Sequence, residues 1–316
     1  MAALDSVTVG RIQAPVRFPP PAESMRTLSP HISGLLLAVA APLSWSVGGV
    51  IIRSVEAGPW DIVFWRVAGH LLFFPFVIAW FWGASAILEA RAAGWPALVV
   101  SLTVAGSFTF HVLGMTQTTV ANVLILQSMS PVFIAMLSRW VLGEPLSAGR
   151  WVVIAVAFAG LATVVAGSLG TGGMIGNLFA ISVALCSTTH VLILRRHRAR
   201  NLGAVTLLSA AIAAAVAWPF ADAFAVPARD IALLLLLGGI QMSLGLTCFM
   251  MALRRIPAAE VTLIALLEPI LGPVWVWLFI GEEPPVTTLI GGAIVIGALV
   301  AHILLTTRRT AGPLPA

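Results

Sequence analysis

Two stretches of this sequence share one pattern, and together they decide the fold. Residues 121–144 read ANVLILQSMSPVFIAMLSRWVLGE, and residues 259–282 read AEVTLIALLEPILGPVWVWLFIGE. Each begins with Ala-Asn-Val or Ala-Glu-Val, continues to Ser-Pro or Glu-Pro, and ends in Gly-Glu. The three features recur 138 positions apart without a gap. This agreement in register indicates an internal duplication.

The composition on either side of this pair is that of a membrane protein. Hydrophobic residues make up 59% of the 316 residues and charged residues only 9%, whereas a soluble domain carries about a quarter charged residues. Runs of about 20 apolar residues, the length needed to span a bilayer, follow one another along the chain. We therefore predict an all-α integral membrane protein with ten transmembrane helices, at about 32–52, 61–82, 95–115, 118–139, 147–167, 174–194, 203–220, 230–252, 258–280 and 286–305.

The basic residues set an orientation for these spans. The 17 basic residues are all arginines, and with a cytoplasmic N-terminus most of them fall in inside segments and only two outside. Because inside loops carry the excess of positive charge, we predict an inner-membrane protein with both termini cytoplasmic. Since the arginines lie in short loops between apolar runs, the net charge of +5 does not indicate nucleic-acid binding. The lipid bilayer and a small-molecule substrate are the expected partners.

The duplication divides the chain into two five-helix repeats, at 30–168 and 169–306. Residues 1–29 are Pro-rich and are predicted to form a disordered cytoplasmic tail, and residues 307–316 a short cytoplasmic tail. An odd number of spans per repeat gives the two repeats opposite orientations in the membrane. Inverted repeats are typical of secondary transporters, whose substrate site lies near the midplane between the halves.

The doubled motif, with Trp45 in the first span and Phe64-Trp65-Arg66 in the second, resembles the drug/metabolite transporter superfamily in its ten-helix EamA branch. The resemblance implies a central cavity lined by the fourth and ninth helices and a metabolite as substrate. It also implies dimer contacts through the fifth and tenth helices. For the glycines of the tenth span, a homodimer contact and packing within the chain both stay open. The second repeat has no equivalent of Arg66, so the polar site is expected to be asymmetric.

Two ionisable residues within spans are the main functional candidates, because each costs about 2.5–3.5 kcal/mol to insert. Arg66 could hold a carboxylate or phosphate of the substrate; the alternatives are an ion pair with Asp61 or Glu56, or extension to the membrane surface. Glu268 lies about ten residues into the ninth span, near the midplane, and is predicted to couple transport to protons or to contact a cationic substrate. The alternative is a protonated carboxyl bonded to a neighbouring helix.

Other polar and aromatic residues within spans could line the cavity. For the histidines the alternative is a packed, hydrogen-bonded side chain, and for the amides it is a hydrogen bond between helices. The tryptophans could stack on a substrate. The predicted substrate-binding residues, besides Arg66, are Trp45, Trp65, His70, His111, Asn122, Gln127 and Gln241.

The repeat motifs themselves are predicted to be structural. The prolines Pro131 and Pro269 are expected to bend the two central helices. The remaining motif residues are expected to cap helices or join them, on opposite sides of the membrane; they are Gly143, Glu144, Gly281 and Glu282.

These features favour a secondary active transporter, with export the commoner direction in the family that the chain resembles. An arginine and a glutamate in one cavity would suit a zwitterion such as an amino acid, moved by alternating access and coupled to protons. The alternatives are a membrane-embedded enzyme or a channel-like pore, although no clustered catalytic set is present. No phosphate-binding loop, cofactor motif or metal-ligand spacing occurs, and Cys186 and Cys248 are expected to be packing residues.

Overall fold

The computed structural model describes residues 29–81, 94–143, 148–167, 173–197 and 203–310, and all regular structure within these ranges is helical. The predictions for residues 1–28 and 311–316, and that for Glu144, lie outside the described residues. The α-helices are α1 Pro30–Ser46, α2 Gly48–Ser54, α3 Pro59–Phe81, α4 Trp95–Gln117, α5 Val120–Gln127, α6 Ser130–Val141, α7 Ala148–Ala166, α8 Met174–His197, α9 Gly203–Ala217, α10 Ala228–Leu236, α11 Ser243–Ala252, α12 Ala258–Ala265, α13 Leu267–Ile280 and α14 Val286–Thr310.

Eight stretches of the described chain are long and apolar enough to cross a membrane. They match the predicted spans except the fifth and the seventh. Two shorter apolar helices, Trp151–Ala166 and Val205–Phe220, lie at those two positions. A 3₁₀ turn, Trp218–Phe220, follows α9, and a π-helical turn, Leu237–Met242, joins α10 to α11.

The two repeated stretches break at matching positions. The fourth predicted span is interrupted after Gln127, and the ninth at Leu266, between α12 and α13. The repeated prolines follow immediately: Pro131 lies in the first turn of α6, and Pro269 in the first turn of α13. Proline has no amide hydrogen and its ring crowds the carbonyl four residues earlier. Proline is tolerated in the first turn of a helix, where a backbone N–H has no carbonyl of the same helix to bind.

The helices pack in matched pairs. Helix α4 lies along α8, and α1 lies along α11. Helix α9 contacts α4, and the π turn with α10 contacts α3. Helices α5 and α6 pack on α8, while α12 and α13 pack on α1. Each contact therefore has a counterpart in the other half: if spans one to five are renumbered as six to ten, and six to ten as one to five, the same set of contacts results.

The fifth and tenth predicted spans cross through glycine backbone. A Cβ atom added to Gly160 of α7 would lie 2.8 Å from the carbonyl oxygen of Gly291, and one added to Gly291 would lie 2.6 Å from that of Gly160. A Cβ atom on Gly292 would overlap Ile125. Gly291 and Gly292 therefore serve packing within the chain, which was one of the two alternatives for these glycines.

One end of the bundle is closed by charged groups, and we call it the Arg53 end. The Arg53 Nε atom lies 2.8 Å from Glu282 Oε2, and Arg53 Nη2 donates to the carbonyl oxygen of Thr118 at 2.7 Å. Glu282 Oε1 accepts from the backbone N–H of Val120 at 2.8 Å. The carboxylate thus caps the start of α5, in line with the structural role expected for Glu282.

At the opposite end, the His31 end, His31 Nε2 lies 3.8 Å from Glu260 Oε2. The spans that begin at these two residues finish at the Arg53 end. The fourth span starts at Val120, at the Arg53 end, and runs away from it to Gly143.

The two glycines of the repeated Gly-Glu pairs therefore lie at opposite ends of the bundle. Both have left-handed backbone, with φ of 71° at Gly143 and 80° at Gly281, a conformation in which glycine is strongly favoured.

Candidate substrate-binding site

Arg66 of α3 and Glu268 of α13 are close enough to interact electrostatically. They come from different predicted repeats, and both side chains are half-buried. Within the described ranges neither makes a hydrogen bond or an ion pair shorter than 4 Å, and the Arg66 Nε atom is buried without a partner. Opposite charges left unpaired inside an apolar bundle are costly. They are therefore well suited to bind a ligand that carries both charges.

The alternative ion pair of Arg66 with Asp61 or Glu56 does not form among the described residues. Asp61 Oδ2 instead accepts from the backbone N–H of Gly58 at 3.1 Å. The backbone N–H of Glu56 donates to Asp230 at 2.9 Å. Arg66 lies about two turns after the start of α3, and its Nε atom is buried.

The backbone of Arg66 is held by a close helix contact that the sequence analysis missed. A Cβ atom added to Gly238, in the π turn, would overlap the carbonyl group of Arg66. A Cβ atom on Gly69, one turn along α3, would likewise overlap the carbonyl oxygen of Leu235. Small residues permit such close approach of helices in membranes, and π turns occur often at functional sites. The Gly238-Gly239 pair in the eighth span was the signal available in the sequence.

His111 and Gln127 complete the polar part of the site. His111 Nδ1 lies 2.9 Å from Gln127 Oε1, and both side chains are half-buried. The charge of Arg66 also acts on His111. Gln127 is the last residue of α5, immediately before the helix break. We call Arg66, His111, Gln127 and Glu268 the polar cluster; it joins α3, α4, α5 and α13.

His70 lies one turn beyond Arg66 but is fully buried. Its Nδ1 atom lies 3.2 Å from Ser243 Oγ on α11, and its ring stacks on Phe74 with centroids 4.5 Å apart. The structure thus places His70 in a contact between α3 and α11. We assign it to helix packing, the alternative given above.

Asn122 is also buried, and its hydrogen bonds join α5 to α8, to α14 and to the connection before α5. Its Nδ2 atom donates to Thr118 Oγ1 and to Asn177 Oδ1, each at 3.2 Å, and its Oδ1 atom accepts from Thr288 Oγ1. These bonds lie just inside the Arg53 end. Asn177 and Thr288 were not singled out from the sequence, because nothing separates them there from other neutral polar residues.

Gln241 donates hydrogen bonds to backbone carbonyl groups at the end of α1. Its Nε2 atom donates to the carbonyl oxygens of Ser44 and Trp45, at 2.9 and 3.0 Å. The last carbonyls of a helix have no partner within the helix, so Gln241 stabilises the break between α1 and α2. The Trp45 ring packs against Phe249, with centroids 5.6 Å apart, and against Gly245.

Trp65 belongs to a group of aromatic residues at the Arg53 end. Its Nε1 atom donates to the carbonyl oxygen of Ala223 at 3.0 Å, and its ring meets Phe64 edge to face. Close by, Trp60 stacks on Phe220 with centroids 4.9 Å apart. These contacts attach α3 to the connection between α9 and α10.

Trp275 is a further candidate that the sequence analysis missed. It lies seven residues after Glu268, on the same face of α13, and is half-buried. Its Nε1 atom donates to Ser46 Oγ at 3.1 Å. The i, i+7 spacing from Glu268 was the available signal.

No group of three or more His, Cys, Asp or Glu side chains in the described ranges is arranged to hold a metal ion.

Comparison with known proteins places this geometry in context. A sequence profile described as the EamA-like transporter family matches residues 32–166 and 174–304. The chain is 28% identical over 280 residues to the pseudopaline exporter CntI of Pseudomonas aeruginosa strain PAO1, covering 85% of this chain and 95% of that protein. It is 27% identical over 279 residues to the CntI of strain UCBPP-PA14, with the same coverage. A protein of known crystal structure, 19% identical, superposes with a TM-score of 0.54 and covers 86% of this chain and 99% of its own.

Proposed function

Because the chain belongs to the EamA-like transporter family and is a multi-pass membrane transporter, we propose that it exports a small zwitterionic metabolite across the inner membrane. Transport proceeds by alternating access, with the polar cluster as the substrate site. The unpaired Arg66 and Glu268 carry this proposal, since together they match a solute with an anionic and a cationic group.

Ten spans arranged as two inverted repeats supply the mechanism. The matched packing pairs, the breaks before Pro131 and Pro269, and the opposite placement of Gly143 and Gly281 all support this arrangement. Two halves of like fold and opposite orientation can exchange conformations, which gives inward-open and outward-open states. A pore has no need of such exchange.

Export is the direction that we favour, because the two Pseudomonas aeruginosa relatives are exporters. The arginine distribution favours a cytoplasmic location for the His31 end and both termini, and in that orientation substrate leaves at the Arg53 end. Glu268 couples this movement to protons, because a carboxyl inside the bundle can release a proton when a cationic group binds and take one up when it leaves.

Uptake into proteoliposomes of a labelled panel of amino acids, organic anions and organic cations, with and without a proton gradient, tests the proposal. We expect zwitterions to be preferred. Arg66→Ala should raise the half-saturating concentration about 10- to 100-fold, the effect of losing a charge-assisted hydrogen bond. Arg229→Ala, an exposed arginine at the Arg53 end, is the control. Equal affinity of Arg66→Ala and the unaltered protein would exclude the anion-binding role.

A further inference from the structure

The contact between His111 and Gln127 determines which nitrogen of the imidazole carries the proton. Nδ1 of the ring lies 2.9 Å from the amide oxygen Gln127 Oε1. An amide oxygen can only accept a hydrogen bond, so Nδ1 carries the proton. In the neutral ring, Nε2 is then the acceptor. Nε2 has no hydrogen-bond partner in the described part of the chain and is not among its buried unpartnered atoms.

The charge of Arg66 links this histidine electrostatically with Glu268. Arg66 interacts electrostatically with His111 and also with Glu268. His70, the other histidine affected by Arg66, is fully buried on Ser243. His111 is therefore the histidine that the polar cluster offers to a ligand.

We propose that His111 Nε2 accepts a hydrogen bond from the substrate, and that Gln127 is the positioning residue that holds the imidazole in the required tautomer. This inference rests on the proposed function, in which Arg66 binds the anionic group and Glu268 the cationic group. The third contact then selects zwitterions that carry a further O–H or N–H donor on their side chain. Gln127 acts through His111 and need not touch the substrate.

The position of Gln127 suits this role. It is the last residue of α5, and the turn that follows is closed by hydrogen bonds from Ser128 N to Leu124 O at 3.3 Å and from Met129 N to Leu126 O at 3.2 Å. The amide is thus presented from a defined helix end. Its partner His111 lies in the interior of α4, so both sides of the contact have regular helical backbone.

A matched pair of probes tests the inference: labelled homoserine and 2-aminobutyrate, which differ by one hydroxyl group. In proteoliposome counterflow, the unaltered protein should prefer homoserine by about 2- to 10-fold, the effect of one hydrogen bond. His111→Phe should abolish this preference. Gln127→Met, which removes the acceptor at similar volume, should reduce it, and Gln127→Glu, which keeps an acceptor oxygen, should retain it.

The ratio between the two probes separates a specific role from a structural one. A purely structural contact between α4 and α5 would change transport of both probes equally and leave the ratio intact. A homoserine preference that survives in both His111→Phe and Gln127→Met would overturn this inference alone. If the unaltered protein transports neither probe and no other zwitterion, the proposed function fails as well.

Discussion

Glu268 lies within electrostatic reach of Arg66, and it makes no hydrogen bond and no ion pair shorter than 4 Å among the described residues. A carboxyl in such surroundings can exist with or without its proton, whereas a glutamine cannot change its charge. We therefore expect Glu268→Gln to lose gradient-driven accumulation of substrate while still exchanging substrate between equal concentrations, at a higher half-saturating concentration because the cationic group loses its counter-charge. Both can be measured in proteoliposomes. Accumulation that still follows the proton gradient in Glu268→Gln would show that the coupling proton travels elsewhere.

Asn122 gives a prediction of the opposite kind, because its hydrogen bonds connect helices and not the polar cluster. Asn122→Ala leaves Asn177 and Thr288 with fewer partners, at a cost of about 1–2 kcal/mol. We expect the thermal midpoint of the detergent-solubilised protein to fall by a few degrees, with the half-saturating substrate concentration unchanged. Thr163→Ala, whose exposed hydroxyl bonds only within α7, is the control. A large change in substrate affinity would instead place Asn122 in the binding site.

Only some of these residue roles could be predicted from the sequence. Arg66 and Glu268 could be found because a charged side chain within a span is costly and therefore rare. Asn122, Gln241 and His70 could not be separated from cavity residues, since a neutral polar group serves equally in helix packing. Gly238 was missed because its role depends on a carbonyl group far away in the sequence.

At the scale of the element, the contact between α3 and the π turn decides how Arg66 is held. The sequence predicted both spans as plain helices, because a π turn and a close crossing depend on a partner helix. A Cβ atom at Gly238 would displace the carbonyl group of Arg66. We expect Gly238→Ala to lower the thermal midpoint and to weaken substrate binding together.

Gly297 supplies the matched control for this substitution. It lies on the exposed face of α14, and a Cβ atom there would meet nothing within 4 Å. Since alanine favours a helix over glycine by about 1 kcal/mol, Gly297→Ala should leave the midpoint equal or slightly higher. Equal thermal midpoints for the two variants would contradict the close packing of α3 on the π turn.

At the scale of the whole molecule, the direction of the two repeats can be tested with single cysteines. In a background of Cys186→Ser and Cys248→Ser, cysteine replaces Ser147 or Glu283, shortly after the two Gly-Glu pairs. A membrane-impermeant maleimide added to intact spheroplasts should label the Glu283→Cys variant and not the Ser147→Cys variant. Disrupting the membrane should make both reactive, which controls for accessibility. Labelling of both in intact cells would refute the inverted arrangement.

The duplication in the sequence predicted matching bends at Pro131 and Pro269, because proline acts on its local backbone; the structure has a helix break before each of them. Beyond an asymmetric polar site, the sequence did not predict how the backbone of the two halves differs. The first span breaks at Val47 and the eighth contains a π turn, whereas α8 and α4, at the corresponding places, are continuous. The two halves therefore differ in where their long spans are interrupted.

The crossing of α7 and α14 at Gly160 and Gly291 has a consequence for the history of this chain. Each glycine leaves room for the other's carbonyl oxygen, so neither position can gain even a methyl group while its neighbour stays fixed. In homologous sequences, residues on the lipid-facing surface can be substituted freely. At this crossing, however, a larger residue at one position requires a compensating substitution at the other. The two positions should therefore either both remain glycine or change together.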